Sequence, residues 1–156
     1  MTDPAMSGFV IGSFRIEQVH QIAAPVSVVF AFLTNRRAPC WLSIFSGHGG
    51  EMRIEPRPGG AVGEFWGEGD FFLWGTVTEV ETDRTLTWAG PNGMQGAIVG
   101  TTRFTLTPTE DGATILQLSH HAFGEVGPDD EQRFGEGGGW TMLIGNLRRL
   151  AESASH

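Results

Sequence analysis

Two stretches of this sequence set an ionisable side chain among apolar ones at strand spacing. In the run from Ala113 to Phe123, alternate residues of a strand point to opposite faces. Leu116, Leu118 and His120 therefore share one face, and Ile115, Gln117, Ser119 and His121 the other. An imidazole standing among leucines can orient a ligand or move a proton near neutral pH. The competing reading is a core histidine bonded to a backbone carbonyl, and it is the one preferred from sequence. In Ala61 to Trp66, Val62, Glu64 and Trp66 share a face. A carboxylate buried there would need a partner, and close to His120 it would make an acid/base pair. A register shift of one residue puts Glu64 in water instead, and that alternative is preferred. No catalytic residue is assigned; His120 and Glu64 are the candidates.

Other chemistries find less support. His120 and His121 are adjacent on a strand, so they cannot readily hold one metal ion, and His20, His48 and His156 are scattered. Cys40 is the only cysteine, which rules out an intrachain disulfide and a cysteine-based metal site. Gly47-His48-Gly49-Gly50 and Gly135 to Gly139 are glycine-rich but lack the lysine and Ser/Thr of a phosphate loop. There is no Gly-x-Ser-x-Gly elbow. Neither a metal nor a cofactor is expected.

Positioning these residues falls to a run of strands closed by one helix. Phe14 to Ile22 is read as a strand with Phe14, Ile16 and Ile22 on one face, and Pro25 suits the first turn of a helix carrying Val26, Val29, Phe30 and Leu33. A second short helical piece is expected at Asn35 to Ser43, anchored by Trp41. Strands follow at Glu51 to Glu55, Ala61 to Trp66, Phe71 to Glu81, Thr85 to Ala89, Ile98 to Thr107 and Ala113 to Phe123, separated by turns rich in glycine, proline and aspartate. Pro91-Asn92-Gly93 reads as the start of a loose loop. Gly124 to Gly139 is a glycine-rich acidic linker, in which Pro128-Asp129-Asp130-Glu131 can start a helical turn. It could gate a cavity, although an inert loop is the preferred reading. The last helix begins at Trp140, and its apolar residues Trp140, Leu143, Ile144, Leu147, Leu150 and Ala151 form one stripe. A curved sheet holding such a helix leaves room for a small molecule between the two.

A chain of 156 residues suits one domain; a loose leader is expected over 1–13 and the domain over 14–153. The formal net charge of -8 argues against nucleic acid and against an anionic membrane surface, both of which need basic patches. Neither a signal peptide nor a membrane span is read, and a cytoplasmic location is expected.

Four stretches carry a resemblance to a known family. Ile22-Ala23-Ala24-Pro25 leads into Val29-Phe30 and Leu33-Thr34. Arg57-Pro58-Gly59-Gly60 makes a glycine-pair turn. Gly75-Thr76-Val77 runs through to Arg84-Thr85-Leu86-Thr87-Trp88. Leu118-Ser119-His120, Phe123, Gly139-Trp140 and the Leu147/Leu150 helix close the chain. Together these resemble the helix-grip fold of the START-like (SRPBCC, birch-pollen-allergen-like) superfamily, in the branch named after the activator of the 90-kDa heat-shock-protein ATPase. The resemblance implies an α+β fold: a curved antiparallel sheet wrapped around a long C-terminal helix, with two short helices after the first strand. It also implies that the Leu116/Leu118/His120 face and the Val62/Glu64/Trp66 face look inward.

The function expected on this basis is binding of a small hydrophobic molecule, with Trp66, Phe72, Trp74, Trp88, Phe104, Leu118, His120, Trp140 and Ile144 as lining residues. Core packing explains the aromatics equally well. Two alternatives stay open: a cyclase- or hydrolase-type enzyme using the same cavity, and a protein-interaction or chaperone-regulating module. The fold hosts all three, and a homodimer is a further option. Stimulation of an ATPase is not expected to transfer, because the resemblance to the named co-chaperone is to its C-terminal domain alone.

Overall fold

A computed structural model describes residues 10–34, 51–67, 69–135 and 137–155. Seven antiparallel strands form one curved open sheet: β1 (Val10–Ile22), β2 (Glu51–Ile54), β3 (Ala61–Trp66), β4 (Asp70–Glu81), β5 (Thr85–Ala89), β6 (Ile98–Pro108) and β7 (Thr114–Val126). Their order across the sheet is β1-β7-β6-β5-β4-β3-β2. Helices α1 (Val26–Thr34), α2 (Asp130–Phe134) and α3 (Gly139–Ala154) complete the described chain. The α+β helix-grip architecture expected from the sequence is what is seen. The expected second short helix, with Trp41 and Cys40, lies outside the described residues, as does the Gly47 to Gly50 stretch. β1 starts at Val10, four residues before the expected start of the first strand.

Alternation along the strands sorts the side chains. On β7, Leu116, Leu118, His120 and Ala122 are buried, while the residues between them reach solvent to varying degrees. On β1 the buried residues are Phe14, Ile16 and Ile22. The buried stripe of α3 is Trp140, Leu143, Ile144, Leu147 and Ala151. It packs with Val29, Phe30 and Leu33 of α1 into one continuous core. Burial of these residues supplies the apolar stabilisation that holds a helix whose own propensity is weakened by Gly145.

Two irregularities bend the sheet and aim the site. Between β3 and β4, Gly63 pairs with Leu73 while Val62 pairs with Gly75, so Trp74 is an extra residue in β4. Such a bulge re-aims side chains, and here Trp74 is buried beside Gly75. A Cβ on Gly75 would stand 2.7 Å from both the Ala89 carbonyl oxygen and Trp88 Cδ1. Only glycine lets that indole lie against the strand. A second shift in β4, between Val77 and Glu79, returns Val80 to the inner face.

Candidate functional site

The inner face of the sheet carries one row that crosses four strands. Trp88 of β5 is opposite Thr102 of β6, Thr102 is opposite His120 of β7, and His120 is opposite Ile16 of β1. Trp88, Thr102 and His120 are completely buried. Trp140, in the first turn of α3, comes down onto this row, and so does Phe134 from the end of α2. The His120 ring meets three aromatic rings nearly at right angles: Phe134 with centroids at 4.8 Å, Phe14 at 5.1 Å and Trp140 at 5.5 Å. Edge-to-face contact of this kind is the favoured geometry for aromatic pairs.

Polar atoms thread the same cluster. Trp140 Nε1–H donates to His120 Nδ1 at 3.0 Å. Trp88 Nε1–H donates to Asn92 Oδ1 at 2.7 Å. Asn92 Nδ2 donates to Thr102 Oγ1 at 2.6 Å and lies 3.2 Å from His120 Nε2. Asn92 sits in the β5–β6 loop with φ 52°, a left-handed conformation that asparagine tolerates. Its backbone N–H is fixed on the Trp74 carbonyl at 3.0 Å. That anchor turns the amide side chain into the core.

His120 is held neutral. Burial is the main cause, since an imidazolium would lose its hydration, and the neighbouring His121 adds repulsion; its pKa is pushed down from 6.5 to about 3. The ring therefore serves at physiological pH as one donor and one acceptor. Its Nδ1 accepts from Trp140 and its Nε2 lies beside the Asn92 amide, in place of the backbone carbonyl expected from sequence.

Glu64 corrects a second expectation. It is completely buried on the inner face of β3, not in water, and it accepts the Trp74 indole N–H at 2.5 Å. That bond to a buried donor offsets part of the cost of removing the carboxyl group from solvent. Phe134 touches both Trp74 and His120, so the indole that bonds Glu64 and the His120 imidazole flank one phenyl ring.

The residues expected to line a ligand divide into two groups. Trp74, Trp88, Phe104, Leu118, His120, Trp140 and Ile144 are buried in the core between sheet and helix, whereas Trp66 and Phe72 are half-buried toward the β3–β4 tip. Asn92, Thr102 and Phe134 belong to the cluster and were not singled out from sequence. Phe134 is only 1% exposed, so the acidic linker is no inert loop: its short helix delivers a core residue. Among the described residues there is no group of three or more His, Cys, Asp or Glu that could hold a metal ion, and no helix long and apolar enough to cross a membrane.

A sheet of this order gripping a C-terminal helix around a buried aromatic and polar cluster defines a START-like helix-grip domain. The family model for activator of Hsp90 ATPase homolog 1-like proteins matches residues 23–152, and the chain belongs to that family. Solved structures agree on the fold. Protein MLL2253 from Mesorhizobium loti superposes with TM-score 0.64 at 22% identity, covering 92% of this chain and 100% of that one. The Aha1 dimer from Colwellia psychrerythraea gives 0.64 at 16% identity, covering 92% and 99%. CalU16 from Micromonospora echinospora gives 0.61 at 19% identity, covering 94% and 86%. No curated protein matches the sequence.

Proposed function

We propose that this protein binds a small, largely apolar molecule between the concave face of the sheet and α3, close to His120. The observation that carries the reading is the buried polar row itself. A core built only for stability gains little from burying His120, Asn92, Thr102 and Glu64 among indoles and phenyl rings, because each polar group must first be desolvated. Small-molecule sites combine mostly apolar walls with a few placed polar groups, which is the composition found here. Trp88, Phe104 and Trp140 supply the walls, and Trp66 and Phe72 lie toward one end. Apolar burial would supply most of the affinity and the polar row the orientation. Glu64 and His120 are engaged with separate indoles, which favours binding over acid/base catalysis. Cytoplasmic location remains part of this proposal.

Native mass spectrometry of freshly purified protein, followed by denaturation and identification of released compounds, tests the reading. A stoichiometric small molecule supports it. An apo mass that stays apo after incubation with a panel of aromatic and terpenoid compounds overturns it. The same spectrum reports the oligomer. Val99 and Phe123 are cross-strand neighbours on the outer face and are 76% and 60% exposed, so we propose that face as the contact if a dimer is found.

A further inference from the structure

The hydrogen bonds around His120 cannot all be satisfied by the residues that make them. Both ends of the chain of contacts are indole N–H groups, Trp88 at one end and Trp140 at the other, and an indole nitrogen only donates. Between them lie one amide and one imidazole. A carboxamide has a donor end and an acceptor end, and a neutral imidazole has one donor nitrogen and one acceptor nitrogen. Two such head-to-tail groups in series can take a donor at one end of the chain but not at both. With Asn92 Oδ1 toward Trp88 and His120 Nδ1 accepting from Trp140, the Nε2–H of the ring faces the Asn92 Nδ2–H₂ group at 3.2 Å. Moving the ring proton to Nδ1 sets it against the Trp140 N–H. Turning the amide over sets its NH₂ against the Trp88 N–H. Each assignment leaves one donor facing another in a fully buried place, where an unsatisfied polar group is costly.

We infer that the Asn92 Nδ2–H and His120 Nε2–H groups form a two-donor site for a single oxygen acceptor, and that the bound molecule carries a carbonyl oxygen which occupies it. An oxygen can accept from both nitrogens at ordinary distances of about 2.9 Å, and a carbonyl oxygen has the two lone pairs this requires. A buried water fills the same position when no ligand is bound. The carbonyl assignment rests on the ligand-binding reading above; the acceptor site itself does not.

The test has two arms. In the first, imidazole nitrogen NMR on the ligand-free protein reads the His120 tautomer and the neighbours of its proton. The expected result is a neutral Nε2–H ring with a cross-peak from that proton to a bound water. An Nδ1–H ring, or an Nε2–H proton with no water beside it, overturns the acceptor site. In the second, calorimetry compares naphthyl methyl ketone with isopropylnaphthalene, which has the same number of heavy atoms but no acceptor. The ketone is expected to bind about tenfold more tightly, the effect of one bond to an otherwise unsatisfied buried donor. Equal affinities overturn the carbonyl assignment while leaving the cavity reading in place. If neither probe binds, the cavity reading and the carbonyl assignment fall together, and the first arm decides the acceptor site. Asn92→Asp supplies an acceptor oxygen within the chain and is expected to erase the ketone's advantage; should it not fold, the wild-type comparisons suffice.

Discussion

Acidification below the ordinary histidine range should weaken this protein through His120. The folded-state pKa lies near 3 and the unfolded value near 6.5. Above the upper value the ring is neutral in both states and contributes no pH dependence. Between the two values the unfolded chain holds a proton that the folded chain does not, so stability falls as pH falls. The slope is about 1.4 kcal/mol per pH unit, which amounts to roughly 2 kcal/mol lost by about pH 5 and on the order of 5 kcal/mol across the whole window. Below the folded value the ring is charged in both states and the slope ends. Urea unfolding of wild type and of His120→Gln, run from about pH 7.5 to about pH 4.5, isolates this contribution. Glutamine keeps one donor and one acceptor but does not titrate. His20, whose pKa is also lowered by burial and by Arg148, is present in both proteins and largely cancels. The wild-type free energy should drop toward, or further below, that of the variant by about 3 kcal/mol over this range. A difference that stays flat with pH would refute the claim that the ring is held neutral by its surroundings.

Three further outcomes are expected. Gly145 is exposed on α3 with no heavy atom within 4 Å of an added Cβ, so Gly145→Ala should stabilise by about 0.5–1 kcal/mol, seen as a Tm rise of roughly 2–4 °C. Phe134→Ala should cost about 3–5 kcal/mol in urea unfolding; a loss below about 1 kcal/mol would show that α2 covers the core without supporting it. Gly75→Ala should cost about 1–3 kcal/mol through overpacking against backbone and indole, and quenching of Trp88 fluorescence should change with it.

What could be read in advance was whatever obeys a simple period. Alternation from Leu116 to His120 set the imidazole on one face with two leucines, the family resemblance turned that face inward, and the stripe from Trp140 to Ala151 gave α3. Both hold because β7 and α3 are regular along those stretches. Glu64 was misread because its burial depends on Trp74, a partner ten residues away whose direction is set by a β-bulge that no alternation reveals. Asn92 escaped notice because Asn-Gly signals a turn, and a turn residue is usually solvated. Here a backbone bond to Trp74 and a left-handed φ carry its side chain inward instead. Phe134 was hidden by the acidic, glycine-rich residues around it. The one cue available was an aromatic side chain four positions after Asp130, one helical turn along.

The pairing of β1 with β7 sets the order in which the molecule can assemble. Ile22 and Thr114 are 92 positions apart in the chain, and Val10 and Val126 are 116 apart. On the ribosome β1 emerges first, yet its thirteen residues have no strand to join until β7 is made. High contact order of this kind slows folding and leaves a long strand open to wrong partners while it waits. Outward-facing Ser13, Arg15 and Glu17 separate the exposed Ile11 from the exposed Val19, a means of keeping unpaired strands apart. Refolding from denaturant should accordingly be limited by capture of β1, and substitutions at Ile16 should slow folding more than they speed unfolding.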